Sequence, residues 1–310
     1  LKAEVYMWTG KALTARNAPV TADLNTAIDA IDAIETDGAV SFNTGDWIST
    51  FTRKANDSPE YIWALYYDNI VGPENNVHNA ITIRIDNVPD TMQGTFPIAV
   101  TDEGLNRIEI GNKMNTIFNA YQTVDAHKDP FNPYDVEPWT DTRDLRYINT
   151  MVNVYGDGSV NVCIKFPGIL VETDNRRYWD NDLPIYRWTD MLLLKAEAMN
   201  TLGGQEADVV AILNMTRSRG GLADYAGATD QNTLEDEIID ERARELLGEN
   251  KYWWDLIRAH KVGINVDRFM TERGDDSTDP NVWDFYYWPI AESVLIQNQM
   301  LEQSPGYTVN

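Results

Sequence analysis

The chain has 310 residues, of which 43% are hydrophobic and 24% charged, and this composition is typical of a folded globular protein with a sizeable core. Acidic residues outnumber basic residues by 49 to 25, and the resulting net charge of -24 opposes binding to nucleic acid or to anionic lipid surfaces. The single cysteine, Cys163, excludes an intramolecular disulfide and a cysteine-based metal cluster, and no apolar run reaches the roughly 18 to 20 residues of a membrane span.

The first forty residues have the apolar spacing of a helical hairpin, with Pro19 in the break and Asp37-Gly38 at the end. The apolar positions are Leu1, Val5 and Trp8 on the first helix and Leu24, Ile28, Ile31 and Ile34 on the second. Because the chain opens inside a helical pattern without a capping residue, we expect N-terminal sequence that lies outside it.

The next segment, from Trp47 to Thr101, consists of short runs bounded by turns, which predict strands or extended loops. Examples are EYIWALYY at 60–67 and ITIRIDN at 81–87. A helix is predicted from about Lys113 to Val124, and a loop rich in proline and aspartate follows it.

Two alternating runs, RYINTMVNVY at 146–155 and VNVCIKF at 160–166, flank the turn GDGS and predict a β-hairpin. Cys163 lies in the second run, where we expect a buried small side chain and not a reactive thiol.

Four helices are predicted in the last third of the chain. They are Thr189–Gly203, Glu206–Ser218, Thr233–Gly248 and Tyr252–Lys261. The first two form a pair built like a tetratricopeptide hairpin. Thr233 and Asp236 have the spacing of a capping box at the third helix, and Trp253 and Trp254 are assigned to packing against the bundle.

The third of these helices carries Glu237, Glu241 and Glu245 one turn apart, with Arg242 and Arg244 between them. This spacing favours a salt-bridged, solvated helix face over a catalytic one.

The sequence contains no strong motif for catalysis. The three histidines, His78, His127 and His260, lie far apart without the spacing of a zinc site, and no serine nucleophile elbow or phosphate loop occurs. Asp275, Asp276 and Asp279 lack the spacing of a calcium loop, which favours a solvated loop. We therefore predict no catalytic residues, no cofactor and no metal.

Adjacent aromatic and polar residues in the middle of the chain suit a sugar ligand. Tyr66 and Tyr67 precede Asp68 and Asn69, so stacking faces lie next to groups that could bind hydroxyls. The competing interpretation is that one tyrosine points into the core. Trp139, in a predicted loop, has the same character.

Several motifs in this order and at these separations resemble the SusD/RagB family. They are KAEAMNTLG, ILNMTRSRGGL, IIDERARELLGENKYWWDLIR, YYWPI and SPGY between 195 and 307, with a weaker likeness at 2–10 and at DTRDL, 141–145. These motifs belong to the scaffold, and none of them is a ligand motif. The family's lipid-anchor cysteine, signal peptide and first tetratricopeptide units are not in this sequence, so we expect them on a longer precursor or a second chain, unless the chain is a short homologue.

The resemblance implies a mostly α fold with tetratricopeptide-like hairpins, irregular loops and a small β-hairpin. We expect residues 1–310 to form one domain, with a hairpin at 1–40, a loop-rich ligand region at 41–183 and a helical region at 184–310. It further implies an outer-membrane protein on the extracellular face that binds an oligosaccharide or polysaccharide and delivers it to a SusC-like TonB-dependent transporter, without catalysis.

The ligand residues are predicted from chemistry alone. They are Tyr66, Tyr67 and Trp139 as stacking platforms, and Asn69, Asn75, His78 and Arg107 as groups that bind hydroxyls. Three alternatives stay open: an acidic helical glycoside hydrolase, a tetratricopeptide-type scaffold that binds protein, and a peptide as the ligand.

Overall fold

The computed structural model describes residues 1–12, 18–51, 54–68, 70, 72, 74–82, 110, 114, 117–118, 144–153, 161–166, 168–171, 173, 176–259, 290–298 and 300–303. Its α-helices there are α1 (Lys2–Met7), α2 (Thr21–Asp37), α3 (Asn76–Ile81), α4 (Leu145–Thr150), α5 (Trp188–Leu202), α6 (Glu206–Arg219), α7 (Gln231–Glu245), α8 (Tyr252–Ala259) and α9 (Glu292–Gln297). A π-helical turn, Trp8–Ala12, extends α1, and short 3-10 helices occupy Trp47–Thr50 and Ala55–Asp57.

The described strands form three two-stranded antiparallel sheets. They are β1 (Tyr61–Leu65) with β6 (Leu183–Arg187), β2 (Met151–Asn153) with β3 (Asn161–Cys163), and β4 (Ile169–Val171) with β5 (Arg176–Tyr178). The mostly helical fold class predicted from the sequence is confirmed.

The main core lies where the hairpin of α1 and α2 packs on α5, and α5 packs on α6 and α7. Leu24, Ala27 and Ile31 of α2 are fully buried, at the spacing of one helix face. Ala196 and Ala198 of α5 are also fully buried, so the neighbouring helices can approach closely. The predicted N-terminal hairpin and the α5–α6 pair are both confirmed, and Gly38 ends α2 with a left-handed φ of 70°.

The predicted inner face of α1 is wrong. Ala3 and Met7 are buried, whereas Leu1 is 73% exposed and Val5 is 49% exposed. Ala3 and Met7 belong to the core with Leu24, and Gly10 allows a close approach to α2, because a Cβ there would lie 2.9 Å from Leu24. Leu1 and Val5 are on the opposite side, toward the surface.

The β-hairpin is confirmed at β2 and β3, where Met151 pairs with Cys163. Its first strand is shorter than predicted, since residues 145–150 form α4. Asp144 caps this helix by accepting a hydrogen bond from the amide of Arg146 at 2.9 Å. Cys163 is buried as predicted, and burial raises the pKa of its thiol to about 11.

The start of α7 differs from the prediction. Asp230 is the N-cap, and it accepts hydrogen bonds from the amide and the hydroxyl of Thr233 at 3.1 and 2.6 Å. Thr233 therefore lies inside the helix, and Asp236 is not its capping partner. The helix ends at Glu245, before the predicted Gly248.

The charged face of α7 is buried, which overturns the predicted solvated face. Glu241 and Glu245 have no exposed surface. Glu245 is 2.6 Å from Arg219, 2.9 Å from Arg187 and 3.0 Å from Arg146. Side chains from β6, α4 and α6 thus meet the carboxylates of α7 in one buried network.

The network keeps its carboxylates ionised. Burial by itself raises the pKa of Glu241, but the guanidinium groups of Arg146 and Arg244 outweigh it and hold the pKa at about 2. The same balance, with Arg219, Arg187 and Arg146 as the cations, holds the pKa of Glu245 well below its usual range.

Two further segments are described in part. Met114, Ile117 and Phe118 are helical and buried against Tyr147 and Met151, in agreement with the helix predicted near 113–124. The predicted extended run at 81–87 begins at the last residue of α3, and the rest from 83 lies outside the described residues, as do the loop before Asp144 and the aspartates at 275–279.

Trp253 is partly buried, whereas Trp254 is 47% exposed and touches Trp8 edge-on. The prediction that both tryptophans pack in the bundle is therefore wrong for Trp254, because about half of this residue is exposed. Within the described ranges, no helix combines the length and the apolar character needed to cross a membrane.

Candidate ligand-binding surface

Strand β1 displays apolar side chains at the surface. Its pairing with β6 is irregular on both sides of Trp63, which lies opposite Tyr186. Such irregularities redirect side chains, and the Trp63 ring is 53% exposed. Leu65, two residues further on the same face, is 42% exposed.

Tyr66 follows the strand and is 62% exposed. Its hydroxyl donates a 2.5 Å hydrogen bond to Asp68, and this bond raises the pKa of Tyr66. The ammonium of Lys54 lies 4.7 Å from the ring centroid, in the geometry of a cation–π contact. The ring is therefore oriented by protein contacts, while most of its surface faces solvent.

The backbone beneath Tyr66 is tied to the segment before β6. Asp182 accepts hydrogen bonds from the amides of Tyr67 and Ala55 at 3.0 and 2.8 Å. Lys54 donates to the carbonyls of Tyr67 and Asp180. These contacts hold the end of β1 and the 3-10 helix at 55–57 as one unit, with Tyr67 partly buried.

Asn75 and His78 lie in the interior. Asn75 caps α3, because its side-chain oxygen accepts from the amides of Val77 and His78. Its side-chain nitrogen is the donor, 3.3 Å from His78 Nε2, which places the ring proton on Nδ1. The His78 ring stacks on Phe166 at 4.2 Å. Both residues have no exposed surface, so neither presents a polar atom to a ligand in this structure.

The remaining predicted ligand residues, Asn69, Arg107 and Trp139, lie outside the described residues. The structure thus exposes Tyr66, leaves the adjacent Tyr67 partly buried, and buries Asn75 and His78. Trp63 and Lys54 were not predicted. The alternation in EYIWALYY places Trp63 and Leu65 on one face, but both faces of this run are apolar, so it does not say which is exposed.

The glycosidase alternative depends on the protonation state of carboxyl groups. A glycosidase needs an acid whose pKa is raised, opposite a second carboxylate. Glu235, a carboxyl whose pKa burial raises, lies against Lys11 and Glu197 in the interior. No three histidine, cysteine or carboxylate side chains within the described part of the chain converge as a metal ion requires.

Comparisons with known proteins agree with the scaffold motifs. The model of the SusD family matches residues 165–307. The solved structure of a SusD superfamily protein from Bacteroides fragilis superposes on 99% of this chain with a TM-score of 0.74, at 22% sequence identity. The chain is therefore similar to the SusD family over residues 165–307, and to the SusD superfamily fold over nearly its whole length.

Two curated members of the SusD/RagB family match in sequence. The chain is 33% identical over 144 residues to SusD-like protein P38 of Formosa agariphila, a match that covers 41% of this chain and 25% of P38. It is 30% identical over 132 residues to the starch-binding protein SusD of Bacteroides thetaiotaomicron, covering 42% of this chain and 22% of that protein. The chain spans 63% of the solved B. fragilis protein and thus less than two thirds of it.

Proposed function

We propose that this protein binds a glycan, without cleaving it, at the surface formed by Trp63 and Tyr66. The observation that carries the proposal is two exposed aromatic rings, Trp63 on β1 at 53% and Tyr66 just after it at 62%, next to a backbone that Lys54 and Asp182 hold at Tyr67. The name of the related starch-binding protein supports a glycan as the ligand.

The chemistry of a sugar fits these groups. The hydrophobic face of a sugar ring packs on an aromatic side chain, and its hydroxyls need oriented donors and acceptors beside that ring. Asp68 is an acceptor fixed next to Tyr66. Since the Tyr66 ring is oriented by protein contacts, little side-chain entropy is lost on binding.

We infer further that the protein works at the outer face of the outer membrane and delivers its glycan to a SusC-like TonB-dependent transporter. The similarity to the SusD family supports this part of the proposal. Purification of the natural full-length protein from its membrane, followed by identification of co-purifying proteins, tests it. A TonB-dependent transporter in stoichiometric amount is the expected result, and a membrane preparation in which the protein purifies without one contradicts it.

Native electrophoresis through gels that contain soluble starch, xylan, galactomannan or laminarin tests the binding function. We expect retarded migration in at least one gel, with no reducing ends released on prolonged incubation with the same polysaccharide. Release of reducing ends identifies a hydrolase. Unretarded migration in every gel contradicts glycan binding and favours the scaffold alternative.

A further inference from the structure

A cleft of about 200 Å³ opens beside β6, where the segment after α7 meets α8 and α1. We call it the Tyr186–Trp254 cleft. Its lining residues are Glu4, Leu183, Pro184, Ile185, Tyr186, Glu249, Asn250, Lys251 and Trp254. The volume is below the roughly 300–1,000 Å³ of a typical small-molecule pocket, and so suits one sugar unit and not a whole oligosaccharide.

Aromatic rings form two parts of this cleft. Trp254 is 47% exposed and is braced by an edge-on contact with Trp8, with ring centroids 5.9 Å apart. Tyr186 is 9% exposed, and its hydroxyl donates a hydrogen bond to Glu4. The Lys251 ammonium lies 4.4 Å from the Tyr186 ring centroid. The Trp254 ring is therefore supported by Trp8 and partly exposed to solvent, while the buried Tyr186 forms another part of the lining.

Polar groups are fixed around the rings. Asn250 is exposed and has a φ of 59°, the one positive φ among the described non-glycine residues. Asparagine tolerates this conformation better than most residues do. Lys251 is paired with Asp190 at 3.1 Å. Burial raises the pKa of Asp190, but Lys251 and Arg242 outweigh it and hold the pKa at about 2, so the pair persists at neutral pH.

The cleft is connected to the surface at Trp63. Tyr186 lines the cleft, and its ring is 6.2 Å from that of Trp63, with 34° between the planes. Trp63 in turn lies on β1, three residues before Tyr66. Three residues of extended chain span about 10 Å. The exposed Trp63 ring thus lies beside the cleft, and the exposed Tyr66 follows it along the chain.

We propose that the Tyr186–Trp254 cleft is a second subsite for the same glycan, which receives one sugar unit while other units of the chain lie over Trp63 and Tyr66. The inference rests on the proposed function, and it adds that the ligand is an extended oligosaccharide. A ligand that reaches both subsites gains affinity because the second contact is intramolecular. A short ligand occupies the Trp63–Tyr66 surface alone.

Calorimetric titration tests this proposal. The ligands are oligosaccharides, from disaccharide to heptasaccharide, of the polysaccharide that retards the protein in the gels. For the wild-type protein we expect affinity to rise with length and then level off. Trp254→Ala should bind the shortest ligands as the wild type does but lose roughly tenfold on the longest ones, because a stacking contact is missing. Trp254→Phe, which keeps an aromatic face, should recover most of the loss.

Asn250→Gly provides an independent test, because glycine adopts the same φ without strain and removes only the amide. It should also reduce the gain with length. Ile296→Ala, at a site that is 70% exposed on α9, is the matched surface control and should behave as the wild type does. Thermal unfolding of each variant checks that it is folded.

The outcomes separate the two proposals. If Trp254→Ala and Asn250→Gly show the wild-type dependence on length, or weaken all lengths equally, the second subsite is wrong while glycan binding stands. If the wild type is retained by no polysaccharide, or Tyr66→Ala has no effect at any length, the proposed function fails and the second subsite fails with it.

Discussion

His78 shows how burial sets the chemistry of a single residue. Its ring stacks on Phe166, accepts from Asn75 at Nε2, and has no partner for Nδ1 among the described residues. Burial lowers the pKa of His78 to about 3, because a charged imidazolium would be desolvated. The sequence presents this histidine as a candidate hydroxyl-binding group, and its burial depends on Phe166, a contact between residues distant in sequence.

This histidine should make the protein less stable in mild acid. An unfolded histidine titrates near pH 6.5, so below that pH the unfolded state takes up a proton that the folded state does not bind until about pH 3. The free energy of unfolding should fall by up to about 1.4 kcal/mol per pH unit from this cause. His78→Phe keeps a stacked ring and should flatten the dependence between pH 6.5 and 5, where most carboxylates are still ionised.

Urea unfolding of both proteins at several pH values measures this effect. The wild-type curve should be steeper than the His78→Phe curve in that window. Equal slopes would show that His78 is protonated in the folded state, and the buried, neutral ring would then be wrong.

At the scale of elements, the charged face of α7 is the main structural result that the sequence did not predict. The spacing of Glu237, Glu241 and Glu245 is the same for a solvated face and for a buried one. The difference comes from Arg146 of α4 and Arg187 of β6, which form ion pairs with Glu241 and Glu245. The sequence of α7 alone does not show that arginines of other elements pack against it.

Glu245→Gln should destabilise the protein strongly. The change leaves three buried guanidinium groups with one fewer charge to balance them, and breaking a buried ion pair costs roughly 3–5 kcal/mol. The matched control is Glu35→Gln, since Glu35 has a 60% exposed side chain and lies 3.7 Å from Lys195. An exposed pair contributes about 0–1 kcal/mol. Urea unfolding at neutral pH compares the two, and similar losses would contradict the buried network.

Gly168 positions the hairpin of β4 and β5, and it should not tolerate alanine. Its φ is 65°, and a Cβ there would lie 2.3 Å from the carbonyl oxygen of Tyr178. Gly38 has a φ of 70° but no atom within 4 Å of such a Cβ. Gly38→Ala should therefore cost only the conformational strain, about 1 kcal/mol, whereas Gly168→Ala adds a clash with backbone. Unfolding midpoints measure both variants, and an equal effect would contradict the close approach at Gly168.

For the molecule as a whole, the sequence was sufficient for the helical scaffold. The hairpin at the N-terminus, the α5–α6 pair and the β2–β3 hairpin follow from local periodicity and turn residues, and these are confirmed. The scaffold motifs also predicted the match to the SusD family at residues 165–307. Ligand residues have no such local signal, because exposure of an aromatic ring is decided by which other segments pack near it. Tyr66 and Trp63 are exposed for that reason, while Asn75 lies inside.

The division of 1–310 into a hairpin, a loop-rich ligand region and a helical region stays a proposal. The aromatic surface described above crosses those boundaries, because β1 of the middle region pairs with β6 of the helical region. If the second subsite is correct, the helical region supplies Tyr186 and Trp254 to the ligand as well as the scaffold.

The central claim is glycan binding at Trp63 and Tyr66. Native electrophoresis of the wild type beside the Trp63→Ala/Tyr66→Ala double variant tests it most directly. The gels are run with and without the polysaccharide that retards the wild type. Both side chains are largely exposed, so the double variant should fold normally. We predict that the wild type is retarded and that the double variant migrates as it does without polysaccharide. A double variant retarded as strongly as the wild type would contradict the claim.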